Sequence, residues 1–153
     1  MPEARTADYP RWARPCQAIF LSLAAMVPLG CGKGAACHPV SGQILLGSAP
    51  VAEAKVVFHP LDGQLPGGQR PQAITDDEGR FTLMTQQPGD GAPEGEYAIT
   101  VELREPVRVG EEVIRDGRNL LPDVYSRPES SKLRYRVHPG GNTAPAIILT
   151  RTP

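Results

Sequence analysis

The stretch "TDDEGRFTL", Thr75 to Leu83, sets two local signals side by side. Asp76, Asp77, Glu78 and Gly79 form a turn signal, because short acidic side chains accept from turn amides and glycine adopts positive φ without a Cβ clash. Directly after it, "RFTLMTQ" (80–86) alternates and sets Phe81, Leu83 and Thr85 on one face. A turn feeding a period-two run is the start of a half-buried strand. The acidic residues also raise the question of calcium, which takes several oxygen ligands. The run lacks EF-hand spacing, so the turn is the preferred reading.

The same punctuation repeats in both directions. "EYAITVEL" (96–103) alternates, with Tyr97, Ile99, Val101 and Leu103 sharing a face. "PVSGQILL" (39–46) is β-branched and apolar and stops at "GSAP" (47–50). "AEAKVVFHPL" (52–61) holds a strand around Lys55 to His59, followed by the breaker-rich loop "DGQLPGGQRP" (62–71). "QAIT" (72–75), "LRYRV" (133–137) and "APAIILT" (144–150) complete the set, with "HPGGN" (138–142) as a turn before the last. The 16 Gly and 17 Pro are spread as punctuation between these runs. About seven strands and no helical period predict an all-β fold, a single β-sandwich. Its expected core is Ile44, Val57, Phe81, Leu83, Tyr97, Ile99, Val101 and Ile148.

The segment from Arg104 to Lys132 breaks the pattern. "VGEEVIRDG" (109–117) suits a small hairpin, and "NLLPDVYSRPESS" (119–131) reads as a long excursion. Contacts concentrate on such loops, which makes Leu120, Leu121 and Tyr125 the candidate contact surface.

The N-terminus reads as an export signal. Arg5, Arg11 and Arg14 precede "CQAIFLSLAAMVPLG" (16–30), an uncharged, mostly apolar run. It is short for a bilayer span, which needs ~20 apolar residues, and it fits the h-region of a secretory leader. The run ends in "LGC", which resembles the lipobox of bacterial lipoproteins, with Cys31 as the lipidated residue. Gly30 matches that pattern, whereas Pro28 and Leu29 depart from it. The expected organisation is a leader over 1–30, the lipidated Cys31 with a short flexible tether to residue 37, and a sandwich over 38–153. The lipid would hold the exported protein on the bacterial membrane. A Cys31–Cys37 disulfide ranks second and a metal site third, since "CGKGAACH" offers only Cys31, Cys37 and His38 and no further CxxC follows.

Composition narrows the function classes. The chain balances 16 Lys+Arg against 17 Asp+Glu, so it lacks the basic surface a nucleic-acid binder needs. His38, His59 and His138 each precede proline at an expected strand end, which is the plainer reading than a three-histidine metal site. None of the serines at 41, 48, 126, 130 and 131 lies in a G-x-S-x-G elbow, and "PGGQRP" lacks the Lys-Ser/Thr of a phosphate loop. No enzyme, cofactor or metal is expected from these residues.

"VSGQILLGSAPVAEAKVVF", "TDDEGRF" and "PEGEYAITV" together resemble the transthyretin-like, carboxypeptidase-regulatory-like domains, with Asp77, Gly79 and Phe81 in register. "LLPDVYSRPESSKLRYRV" is similar to the C-terminal half of small lipoproteins of planctomycete bacteria that carry this domain behind a lipobox. The resemblance spans nearly all of the exported chain and implies an accessory or adhesive envelope module. Its enzymatic branch, the hydroxyisourate hydrolases, carries a C-terminal Tyr-Arg-Gly-Ser, whereas this chain ends "ILTRTP". The expected function is therefore a non-enzymatic, lipid-anchored contact module for an envelope protein or glycan. The alternative is a carbohydrate or small-ligand binder that uses a sheet face.

Overall fold

The computed structural model describes residues 36–63, 65 and 68–151. The expected leader and Cys31 lie outside them. Within them the chain forms β1 (Cys37–His38), β2 (Val40–Leu46), β3 (Ala49–Pro50), β4 (Lys55–Pro60), β5 (Gln72–Ile74), β6 (Arg80–Thr82) and β7 (Ala92–Pro93). Then follow β8 (Gly95–Glu102), β9 (Arg104–Val109), β10 (Glu112–Asn119), a 3-10 turn (Asp123–Ser126), β11 (Arg134–Val137), β12 (Asn142–Thr143) and β13 (Ile147–Leu149). The fold is all-β. The strands expected from sequence correspond to β2, β4, β5, β6, β8, β11 and β13. Among the described residues the first paired residue is Cys37, opposite Pro93.

Two sheets make the sandwich. One runs β11-β8-β4-β5 and is antiparallel throughout. The other is organised on β2. One edge of β2 pairs in parallel with β12 at its start and β13 at its end, and the other pairs antiparallel with β6 and β3. The core between them holds Val40, Ile44, Phe81 and Leu149 from the second sheet and Val56, Phe58, Tyr97, Ile99 and Val101 from the first. At its centre Phe58 meets Tyr97 at 5.8 Å, Tyr135 at 6.1 Å and Phe81 at 6.3 Å between ring centroids, in tilted or edge-on arrangements that suit aromatic quadrupoles. Gly42 makes room for this packing, since a Cβ there would lie 2.6 Å from Cζ of the Phe81 ring.

The register of two strands differs from the sequence expectation by one residue. In β4 the buried side chains are Val56 and Phe58, while Val57 is only partly buried. In β13 Leu149 is buried and Ile148 is 59% exposed. Both stretches carry consecutive apolar residues, so alternation alone permits either face, and the neighbouring strands decide which is buried.

The acidic turn serves the fold. The Asp76 carboxylate accepts from the amides of Glu78 (3.0 Å) and Arg80 (2.7 Å) and from Arg80 Nε (3.2 Å). These bonds, the Arg80 amide first, hold its carboxyl below the usual range. Gly79 sits at φ 72°, and a Cβ there would lie 2.5 Å from the Ile44 carbonyl oxygen. The turn is thus seated on β2, with the Ile44 amide donating to the Gly79 carbonyl at 2.8 Å.

Candidate functional site

The three residues expected to form a contact surface do not act together. Leu121 and Tyr125 are buried, at 4% and 8% exposure, and belong to the core. The Tyr125 hydroxyl accepts from the Thr150 amide (3.0 Å) and shares a hydrogen bond with Thr150 Oγ1 (3.2 Å), which ties the 3-10 turn to the end of β13. Only Leu120 is open to water, at 47%. The physical reason is that residues 119–126 run beside β8, where the Leu120 amide donates to the Leu103 carbonyl at 2.7 Å. Apolar side chains that point inward from that position fill the core.

The exposed surface of this region is the β9–β10 hairpin instead. The small hairpin expected over 109–117 extends over Arg104–Asn119, closed by Gly110 at φ 64°. Its strands pair with each other and with no other strand among the described residues. Val107 lies opposite Ile114 and Val109 opposite Glu112, so Val107, Val109 and Ile114 share one face of the ribbon. Val113, on the other face beside Arg108, is 62% exposed, and Val109 and Ile114 are exposed as well. Burying one such side chain against a partner contributes about 1.5–3 kcal/mol.

Polar contacts fix the base of this arm. Arg104 Nε meets Glu102 Oε2 at 2.9 Å, and Arg118 Nη2 meets Glu105 Oε1 at 2.9 Å. Arg115 donates to the Arg104 carbonyl at 3.0 Å and pairs with Glu53 of the sandwich. The base is held by charge, and the apolar side chains stand toward the tip.

Other chemistry-bearing residues have structural partners. Burial pushes the Cys37 thiol up, against a lowering hydrogen bond with Thr85 and with a further push from the Asp90 carboxylate. That is the opposite of an activated thiolate. His38 Nδ1 accepts from the Gly140 amide at 3.1 Å. The turn after His138 is closed by Asn142, which accepts from the His138 amide (2.9 Å) and donates to its carbonyl (2.8 Å). His59 Nε2 shares a hydrogen bond with Thr100 Oγ1 at 2.9 Å. The described residues contain no group of three or more His, Cys, Asp or Glu placed to hold a metal.

No family model matches the sequence, and no curated protein matches it. Solved structures with a similar chain trace include a 9R-lipoxygenase from Cyanothece PCC8801, at TM-score 0.42 and 13% identity over 74% of this chain and 16% of that one. A candidate carbohydrate binding protein from Pseudomonas aeruginosa follows at TM-score 0.40 and 18% identity, over 78% of this chain and 91% of that one. A DUF3823 family protein from Parabacteroides merdae gives TM-score 0.38 and 11% identity, over 78% and 47%. Nothing about function follows from likenesses at this level.

Proposed function

We propose that the protein is a non-catalytic, lipid-anchored module of the bacterial cell envelope that holds a protein partner through the β9–β10 arm. The observation that carries this reading is the arm's exposed aliphatic tip, Val109, Val113 and Ile114, on a base held by ion pairs. Isolated exposed aliphatics are ordinary, whereas here the tip of one two-stranded ribbon exposes them on both faces, Val109 and Ile114 on one and Val113 on the other. The leader and the "LGC" sequence at Cys31 support the anchor, and the family resemblance supports an accessory rather than catalytic role.

The two halves of the proposal are tested separately. Cells fed a labelled fatty acid should incorporate label into the wild type and not into Cys31→Ser; an unlabelled wild type sinks the anchor. For the arm, a photo-crosslinking amino acid at position 109, on the same face as Ile114, should give one discrete protein adduct in envelope membranes. Ile114→Lys should abolish that adduct, and Ile148→Lys, on the sandwich surface, should leave it intact. Absence of an adduct, or equal loss with both substitutions, refutes the arm as a contact element.

A further inference from the structure

The four-stranded sheet carries, on the face turned from the core, a cleft of about 530 Å³ to which the arm contributes no residue. Lys55, Val57 and His59 alternate outward along β4 and line it, with Gln72 of β5 and Thr100 of β8 on either side of Val57. Arg70, on the loop entering β5, flanks His59, whose ring is held toward the neutral form by burial first and by Arg70 second, against Glu129.

The charges in this cleft are not mutually satisfied. Lys55 lies opposite Glu102 in the ladder, but the Glu102 carboxylate is taken by Arg104. Neither Lys55 nor Arg70 is ion-paired among the described residues. Lys55 and His59 are four residues apart on one strand, which at ~3.3 Å per residue puts their Cα atoms roughly 13 Å apart, with Arg70 at the His59 end. The rest of the cleft is lined by hydroxyl and amide side chains, the aliphatic Val57, Met84 and Glu102, with no Phe, Tyr or Trp.

This layout selects a ligand by elimination. One phosphate would need donors that converge, whereas Lys55 stands at the start of β4 and Arg70 beside His59 toward its other end. A neutral sugar usually relies on an aromatic platform, which is missing from the lining. An extended peptide would add to a sheet edge, but at Gln72, the β5 residue that lines the cleft, the edge is already taken, since Gln72 and Met84 exchange both backbone hydrogen bonds at 2.9 Å. What remains is a chain of hydroxyl-bearing units with carboxylates along it. We propose that this cleft binds a uronic-acid oligosaccharide, with a carboxylate on Lys55, another on Arg70, and a sugar hydroxyl on Gln72 between them. The site is separate from the arm, and the two proposals stand or fall independently.

The test is calorimetric titration of the full chain with trigalacturonate, maltotriose, triglutamate and inorganic phosphate. Trigalacturonate should bind, and binding should weaken with added salt. Lys55→Met and Arg70→Met should each weaken it about tenfold, the loss expected for one charge-assisted hydrogen bond. Both variants are exposed-site changes, and far-UV circular dichroism checks that they fold. Ile148→Lys, outside the cleft, should leave binding unchanged. No binding of trigalacturonate at millimolar concentration overturns the proposal. So does equal affinity for maltotriose, triglutamate or phosphate, and so does unchanged affinity in the two methionine variants.

Discussion

Val56→Ala and Val57→Ala remove the same two methyl groups from adjacent positions of β4, and the structure predicts very different costs. Val56 is fully buried in the cluster with Phe58 and Val101, whereas Val57 faces the cleft beside Gln72 and Thr100. At ~0.8 kcal/mol per buried methyl(ene), losing two costs about 1.6 kcal/mol before the residual cavity is counted. With the cavity, Val56→Ala should cost about 2–3 kcal/mol. Val57→Ala loses partial burial and some strand propensity, about 1 kcal/mol or less. Urea unfolding followed by far-UV circular dichroism separates the two. With a slope of about 1–3 kcal/mol per molar, the Val56 variant should shift its midpoint by roughly 1 M or more and the Val57 variant by well under half of that. Equal shifts, or a larger shift for Val57→Ala, would falsify the register of β4 and the outward face on which the cleft is built.

Gly79→Ala should destabilise the fold by about 2 kcal/mol or more, since a left-handed backbone costs an L-residue roughly 1–2 kcal/mol and its Cβ would also press on the Ile44 carbonyl; an unchanged melting temperature refutes the turn geometry. Tyr125→Phe should cost about 1 kcal/mol through the lost bonds to Thr150, while Leu120→Ala stays within about 0.5 kcal/mol; the reverse order in denaturant melts would mean that Leu120, not Tyr125, holds this segment to the sandwich. His59 has a lowered pKa in the folded state, so the unfolded chain takes up its proton first as pH falls. Its contribution is complete above the ordinary histidine value of about 6.5 and declines as pH drops from there through the folded value. Unfolding midpoints measured from pH 7.5 to 5 should therefore fall more steeply for the wild type than for His59→Gln, and parallel curves refute the shift.

The strands that alternate strictly were legible in the sequence. "RFTL" and "EYAITVEL" place Phe81, Leu83, Tyr97, Ile99 and Val101 in the core, as period two requires. The turn before Phe81 was legible for the same kind of reason. One Asp and one Gly carry the local geometry, through the Asp76 carboxylate and the positive φ of Gly79. Where apolar residues run consecutively, as in "KVVF" and "AIIL", local pattern could not choose a face, because that choice is made by strands distant in sequence. The hairpin was only partly visible because a ribbon with water on both faces has no hydrophobic period to reveal it. Charged and aliphatic residues are mixed along Arg104–Asn119, and the only local marks are the Gly110 turn and the cross-strand partners.

The same distinction separates the two proposed surfaces. Leu121 and Tyr125 are apolar residues in an irregular segment, and their apolarity is explained by the core they fill. Function on this scaffold is better sought where a side chain is left without a structural task. Arg80 has one, since it pairs with Asp76 and Glu78, and so has Arg104, which holds Glu102. Lys55 and Arg70 have no ion pair among the described residues, and they belong to different segments that meet only because β5 returns alongside β4. No spacing rule in the sequence could join them. An unpaired cation at either end of a cleft is also inexpensive to the fold, because both stay hydrated until a ligand arrives. Replacing Lys55 or Arg70 with methionine should therefore leave stability within about 0.5 kcal/mol while weakening ligand binding, and a large loss of stability would mean that these cations serve the fold after all.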